Sequence, residues 1–299
     1  MTESKSRIEI FKQHRQRLFG IAYRMLGTCA DAEDVVQESY LRWHKSELQT
    51  IETPEAWLVT VTTRLSIDRL RRLTKERETY IGPWLPEPLF TRKTSTPEER
   101  LEFSSNLSMA FLVLLEKLSP VERAAFLLRD VFDVSYAEIA RIVRKNETAC
   151  RQLIHRAREK VRSEKPRFEA TEEDRRRLIE KFLAAVGATD EAALLSLFAE
   201  DAVSTADGGG RVTAARKPII GNRKIARLYY LLGLKSKGLI NVNIQPINGE
   251  LGFVTTVFGQ PFAATVFEIE NEKIRRLYQV MNPDKLKSFA AEQAKAESN

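Results

Sequence analysis

Between Asn146 and Arg162 the chain places polar and cationic side chains at helical spacing, and their chemistry suits nucleic acid. Thr148, Arg151, Gln152, His155, Arg158 and Arg162 share the outer face of a helix. Arginine and glutamine there can bond base edges in a major groove or neutralise phosphates. Cys150, Leu153, Ile154, Ala157 and Val161 step by three and four residues along the opposite, buried face. Upstream, Ser135 and Glu138 have the spacing of a capping box, in which hydroxyl and carboxylate each satisfy a free backbone N–H, so a helix starts near Tyr136. Ile139, Ala140 and Val143 give it an apolar edge, and Asn146 caps the helix that follows. Two short helices joined by a tight turn make a helix-turn-helix, the second being the recognition helix. A basic hairpin that is merely solvated is the competing reading of this segment alone.

Other chemistry is sparse. All three histidines, His14, His44 and His155, precede the C-terminal third, so acid–base work there would rest on Asp207 or on Tyr229, Tyr230 and Tyr278. Asp207-Gly208-Gly209-Gly210 reads as a turn, because glycine takes positive φ freely, rather than as a placed acid. Cys29 and Cys150 fall in different helical patterns, which supports neither a disulfide framework nor a zinc site. No metal and no cofactor is expected.

A chain of 299 residues is long enough for two or three cores. Its net charge of +7 and pI of about 9.3 favour a polyanionic partner. The cations concentrate in two helical places, Arg64 to Arg77 and Arg141 to Arg167. No apolar run approaches the roughly twenty residues that span a bilayer, and the first residues lack the apolar core of a signal peptide. The expectation is a cytoplasmic protein with no membrane partner.

The positioning elements follow from period and punctuation. Residues 7–77 read as three helices. Phe11, Leu18, Phe19, Ala22, Tyr23 and Leu26 line the first, which Gly27 ends. Asp31 caps the second, with Ala32, Val35, Val36, Tyr40 and Trp43 inward and Asp34, Gln37 and Glu38 outward. Thr53-Pro54 starts the third, with Trp57, Leu58, Val61 and Leu65 inward and a basic end at Arg64, Arg69, Arg71, Arg72 and Lys75. Residues 78–96, with Gly82, Pro83, Pro86 and Pro88, read as a linker whose Trp84 and Leu85 must dock on something. Residues 97–165 read as a four-helix domain opened by a capping box at Thr96 to Glu99 and restarted at Ser119-Pro120-x-Glu122. Residues 171–287 read as an α+β domain of helices followed by an antiparallel meander, with turns at Asn248-Gly249, Gln260-Pro261 and Asn271-Glu272. Residues 288–299 read as a polar tail.

The segment from Asp31 to Trp43, the helix from Glu55 to Arg72 and the terminal helix-turn-helix together resemble the two domains of a bacterial RNA polymerase sigma factor of the extracytoplasmic-function group, over about residues 7–165. The last third resembles the SnoaL-like, NTF2-like α+β fold. WLPEP, DGGGR and NPDKL (Asn282 to Leu286) resemble marks of the sigma subgroup carrying such a fused domain. The implied fold class is two all-α sigma domains followed by an α+β NTF2-like domain. The implied partners are RNA polymerase core and promoter DNA.

The resemblance also implies roles. Asp31, Asp34, Gln37, Glu38 and Leu41 would dock on core. The loop before the third helix, with Arg64, Arg69, Arg71 and Arg72, would hold the minus-ten element. Asn146, Thr148, Arg151, Gln152, His155, Arg156 and Arg158 would serve the minus-thirty-five element, Arg156 through phosphate. Trp84, Leu85 and Pro86 would thread across polymerase between the DNA-reading domains. Asp207, Gly208, Gly209, Gly210 and Arg211 with Asn282, Pro283 and Asp284 would form a regulatory interface, Lys285 being a further candidate for a polar contact there. A small ligand in a conical C-terminal pocket could bias it. The alternative is a DNA-binding regulator fused to a polyketide-cyclase-like enzyme, which leaves Asp31 to Arg72 without a use.

Overall fold

The computed structural model describes residues 2–47, 51–90, 107–162, 170–236 and 238–289. The expected capping box at Thr96 to Glu99 and the tail beyond residue 289 lie outside them. The chain forms two compact units, one of Met1–Thr79 with Phe111–Lys165 and one of Tyr80–Ala110 with Pro166–Asn299.

The first unit holds α1 (Thr2–Leu26), α2 (Cys29–Lys45), α3 (Pro54–Arg77), most of α4 (Met109–Leu115), α5 (Pro120–Asp130), α6 (Tyr136–Val143) and α7 (Glu147–Arg162). Gly27 ends α1 at φ 78°, its N–H donating to the Tyr23 carbonyl. The cap of α2 is Thr28, not Asp31: the Thr28 side chain accepts from the Asp31 N–H, so the threonine hydroxyl starts the helix one turn before the carboxylate. The buried stripe of α3 also differs from expectation, since it includes Leu58, Thr62, Ser66, Ile67 and Leu70 while Val61 and Leu65 are half-buried. Thr62 and Ser66 can lie inside because their hydroxyls are satisfied. Ser39 Oγ and Thr62 Oγ1 are 2.9 Å apart, and Ser66 donates back to the Thr62 carbonyl at 2.8 Å. Capping boxes at Ser119/Glu122 and Ser135/Glu138 start α5 and α6. Arg144 closes α6 at φ 55°, and Asn146 Oδ1 accepts from the Ala149 N–H to start α7. The buried set of α7 is Cys150, Leu153, Ile154, Ala157 and Val161.

The second unit contains α8 (Glu172–Ala188), α9 (Glu191–Leu197), β1 (Phe198–Asp207), β2 (Ile219–Ile220), α10 (Asn222–Ser236), β3 (Ile240–Ile247), β4 (Glu250–Val257), β5 (Gln260–Glu270) and β6 (Lys273–Val280). The sheet order is β2-β1-β6-β5-β4-β3. Strands β3 to β6 form the expected meander, but β1 lies parallel to β6, so the sheet is mixed rather than antiparallel. The second hairpin turns at Phe258-Gly259, with φ 50° and 76°, instead of at Gln260-Pro261, because glycine supplies the positive φ that the turn needs while Gln260 and Pro261 open β5. Phe182 packs edge-on against Tyr229 and Phe267, at 4.9 and 5.2 Å between ring centres, and these rings with Phe198 and Phe253 fill the space between helices and sheet. This is the α+β class expected of an NTF2-like domain.

Residues 80–90, within the segment read as a linker, pack into the second unit: Leu85 is 1% exposed, Phe90 pairs with Ile247, and the Asn248 N–H donates to the Leu89 carbonyl. Phe289 is likewise buried, 4.9 Å from the ring of Phe90, so an apolar anchor sits inside the stretch expected to be a polar tail.

Candidate nucleic-acid interface

The outer face of α7 is presented to solvent. Thr148, Arg151, Gln152, His155, Arg156, Arg158 and Arg162 are all exposed, while Asn146 is exposed but spends its side-chain oxygen on the cap. Arg151 stacks over Tyr136 with its guanidinium carbon 4.1 Å from the ring centre, and lies 3.6 Å from Glu147. Arg158 is held by Asp130 at 2.8 Å, and this hydrogen bond raises its pKa above the ordinary arginine value. Gln152, His155 and Arg156 line one shallow depression with Arg151. Among the described residues, Arg156 makes no ion pair. Cys150, beneath this face, is a free thiol whose pKa burial pushes up, so it serves as a packing residue.

The basic end of α3 is arranged differently. Arg64 donates to the carbonyls of Ile142 and Arg141 at 3.0 and 2.8 Å, closing the C-terminal end of α6. Arg69 pairs with Asp31 at 2.8 Å and Glu76 at 3.2 Å; burial alone would lower its pKa, but the two carboxylates raise it. Arg71 pairs with Asp68 at 3.0 Å, while Arg72 is exposed. On α2, Asp34, Gln37 and Leu41 are exposed, Leu41 by 44%, whereas Glu38 pairs with Arg42 at 2.8 Å and Asp31 is engaged by Arg69. The sequence grouped Asp31 and Arg69 with surface contacts; the structure joins them to each other.

In the second unit, Asp207 is neither a simple turn former nor an exposed acid. Its carboxylate has no exposed surface and accepts from Tyr80 Oη at 2.6 Å, the Leu85 N–H at 2.9 Å and Lys285 Nζ at 2.7 Å. Lys285 also donates to the Leu85 carbonyl and lies 4.2 Å from the centre of the Trp84 ring. Asn282 Nδ2 donates to Tyr80 Oη at 2.9 Å, and the backbone N–H groups of Met281 and Asn282 donate to the Asp207 carbonyl. Burial, with the bond to Asp207, raises the Tyr80 pKa. A Cβ on Gly209 would come within 2.3 Å of Asn282, and one on Gly210 within 2.9 Å of Ile81, so this turn needs glycine for contact as well as for φ. Arg211 meets Asp284 at 3.3 Å on the surface. WLPEP, DGGGR and NPDKL thus form one clasp, with Pro86 buried and Pro283 opening a short turn. Tyr80 was not singled out in the sequence; the cue was a tyrosine next to an apolar break.

The other carboxyl chemistry of this unit is also internal. Tyr278 Oη donates to Glu268 at 3.2 Å, and burial raises the pKa of both groups.

Residues 10–76 match Sigma-70 region 2 and residues 108–161 match Sigma-70 region 4. The chain is 36% identical, over 96% of its length and 95% of the relative's, to the ECF RNA polymerase sigma factor SigJ of Mycobacterium tuberculosis. The chain belongs to the extracytoplasmic-function RNA polymerase sigma factors. The probable ECF sigma factor SigI of the same species is 26% identical over 94% of this chain and 95% of its own. The crystal structure of Mycobacterium tuberculosis SigJ covers 94% of this sigma factor and 98% of its own chain, with 34% identity and a TM-score of 0.74. Both regions through which sigma factors bind RNA polymerase and direct promoter-specific initiation are therefore present, and the fused cyclase-enzyme alternative is not favoured. Among the described residues no helix is long and apolar enough to cross a membrane, and no cluster of His, Cys, Asp and Glu could hold a metal ion.

Proposed function

We propose that this sigma factor reads the minus-thirty-five element with α7 and the minus-ten element with the loop before α3, while Asp34, Gln37 and Leu41 on α2 dock on RNA polymerase core. The observation carrying this is the exposed face of Gln152, His155 and Arg156, polar side chains that the helix leaves available in the region matched to Sigma-70 region 4. Arg72 is the α3 cation best placed for a phosphate, since Arg64, Arg69 and Arg71 already have partners in the chain. The C-terminal domain sets activity by holding residues 80–90, the segment between the two DNA-reading regions, through Asp207 and Lys285. Transcriptional control, not catalysis, is its role.

Run-off transcription with purified core and full-length protein tests the assignment. Gln152→Ala with Arg156→Ala should abolish most promoter-specific transcript while core binding persists; an undiminished transcript overturns the role of α7. Lys285→Met, which leaves Asp207 buried without its cation, should release the segment and alter transcript yield. Trp84 fluorescence reports the release. Release with unchanged yield would remove the regulatory part.

A further inference from the structure

Although the chain holds 41 Asp and Glu residues in 299, none falls between Asp207 and Glu250, while Arg211, Arg216, Lys217, Arg223, Lys224 and Arg227 all do. All six side chains are exposed. Arg227 pairs with Glu191 at 3.0 Å and Arg211 with Asp284 at 3.3 Å, both at the surface, where such pairs are weak. Among the described residues Arg216, Lys217, Arg223 and Lys224 form no ion pair. Topology keeps these charges together. The loop leaves the end of β1 at Asp207, and Arg211 and Arg216 line one open cleft of about 340 Å³. The chain then returns along β1, with Ile219 opposite Ser204 and Ile220 opposite Val203, and the Gly221 N–H donates to the Ala202 carbonyl as α10 begins. The cations therefore follow one edge of the sheet from Asp207 back to Ala202, five residues or about 17 Å at the strand rise. A DNA duplex presents about ten phosphate charges over that length, at one per about 1.7 Å of axis.

We infer that this edge of the C-terminal domain is a third DNA-contacting surface, which binds the phosphate backbone of duplex promoter DNA without reading bases. The unpaired groups are lysines and arginines, donors that phosphate oxygens accept, and they lie on a loop, beside a two-residue strand and in the first turn of α10 rather than along one face of a recognition helix. Duplex DNA is the polyanion that a promoter-bound sigma factor meets, so the inference rests on the proposed promoter role. It adds a second task to the fused domain, which would anchor the complex to DNA as well as hold residues 80–90.

The test compares wild-type holoenzyme with a variant carrying Arg216→Gln, Lys217→Gln, Arg223→Gln and Lys224→Gln, using promoter duplex across a series of salt concentrations. Cations in the first turn of α10 oppose the helix dipole, so neutralising them does not unfold the domain. With each phosphate contact contributing about 0.9 to the slope of log affinity against log salt, the slope should fall by about 3 to 4, and by at least one. Core binding should be unchanged. A slope change below one unit overturns the inference, as does loss of core binding, which would make the edge a docking site for an acidic polymerase surface. Wild-type holoenzyme with no promoter preference over random duplex would instead defeat the underlying promoter role, so the two failures are distinguishable.

Discussion

Helices α3 and α7 are both rich in arginine, yet the protein uses the two sets of charges in opposite ways. On α3 the guanidinium groups of Arg64, Arg69 and Arg71 meet carbonyls of α6 or carboxylates of the same unit. On α7, Gln152, His155 and Arg156 remain at the surface, while Arg151, Arg158 and Lys160 have acidic neighbours in Glu147, Asp130 and Glu122. Helical spacing reveals where charge lies but not whether the fold has already matched it. Three of the α3 arginines are matched within the unit, whereas α7 keeps Arg156 and Arg162 exposed and, among the described residues, without an ion pair, beside the uncharged Gln152 and His155. Substitutions on α7 should consequently affect binding without stability, and those on α3 the reverse.

The largest separation is expected at Gln152. Gln152→Ala should cost about 1–3 kcal/mol of promoter affinity if the amide makes a bidentate base contact. Urea unfolding should stay within about 0.5 kcal/mol of wild type, as for exposed positions generally. A filter-binding titration beside a denaturation curve checks both. Equal losses in the two measurements would erase the contrast with α3.

Arg64→Ala is the converse case. It removes two hydrogen bonds to the last carbonyls of α6, and for a half-buried arginine the loss should be about 1–2 kcal/mol of unfolding free energy. Promoter affinity per folded molecule should change little. If affinity collapses while the unfolding curve holds, Arg64 belongs with the DNA-facing set after all.

The helix-turn-helix that carries the free face has its own stability device, which pH can probe. Glu138 has its pKa lowered by hydrogen bonds from the Ser135 side chain and backbone, despite opposing burial. A carboxyl with a folded pKa below its unfolded value contributes stability that is complete above the ordinary Glu range, near 4.3, and disappears as pH falls through the folded value. Ser135→Ala should cost about 1 kcal/mol at neutral pH and flatten the loss of thermal stability on acidification. Melting curves at pH 7 and at acid pH measure this; a variant as acid-sensitive as wild type would assign the sensitivity elsewhere.

What could be read in advance follows the same division between local and distant partners. The α7 stripe was legible because five apolar residues keep the helical period, and the capping boxes because their partners lie three residues apart. The α3 stripe was misplaced because Thr62 and Ser66 are polar by type and become core residues only through bonds to Ser39 and the helix backbone. The parallel contact between β1 and β6 has no turn to announce it. Asp207 was taken for a turn residue because Tyr80 and Lys285 lie 127 and 78 positions away, and burial of its carboxylate is a tertiary fact. The exposed residues of α7 were located correctly by periodicity, but their exposure alone does not assign base contacts.

The smallest expected effect is the one that most sharpens the contrast. Asp31 holds Arg69 at 2.8 Å with 36% of the arginine side chain exposed, so the pair adds no more than about 1 kcal/mol to stability. Asp31→Asn removes the charge that holds the guanidinium while leaving a side chain of similar size at the start of α2. Glu76, at 3.2 Å, still restrains Arg69 in that variant. Adding Glu76→Gln frees the guanidinium from both carboxylates. If α3 cations are silent on DNA because the chain matches them, the double variant should steepen the salt slope of promoter binding by up to about 0.9, the contribution of one new phosphate contact. An unchanged slope would mean that Arg69 cannot reach the backbone even when freed, and that its position on α3, rather than its pairing, keeps it from DNA.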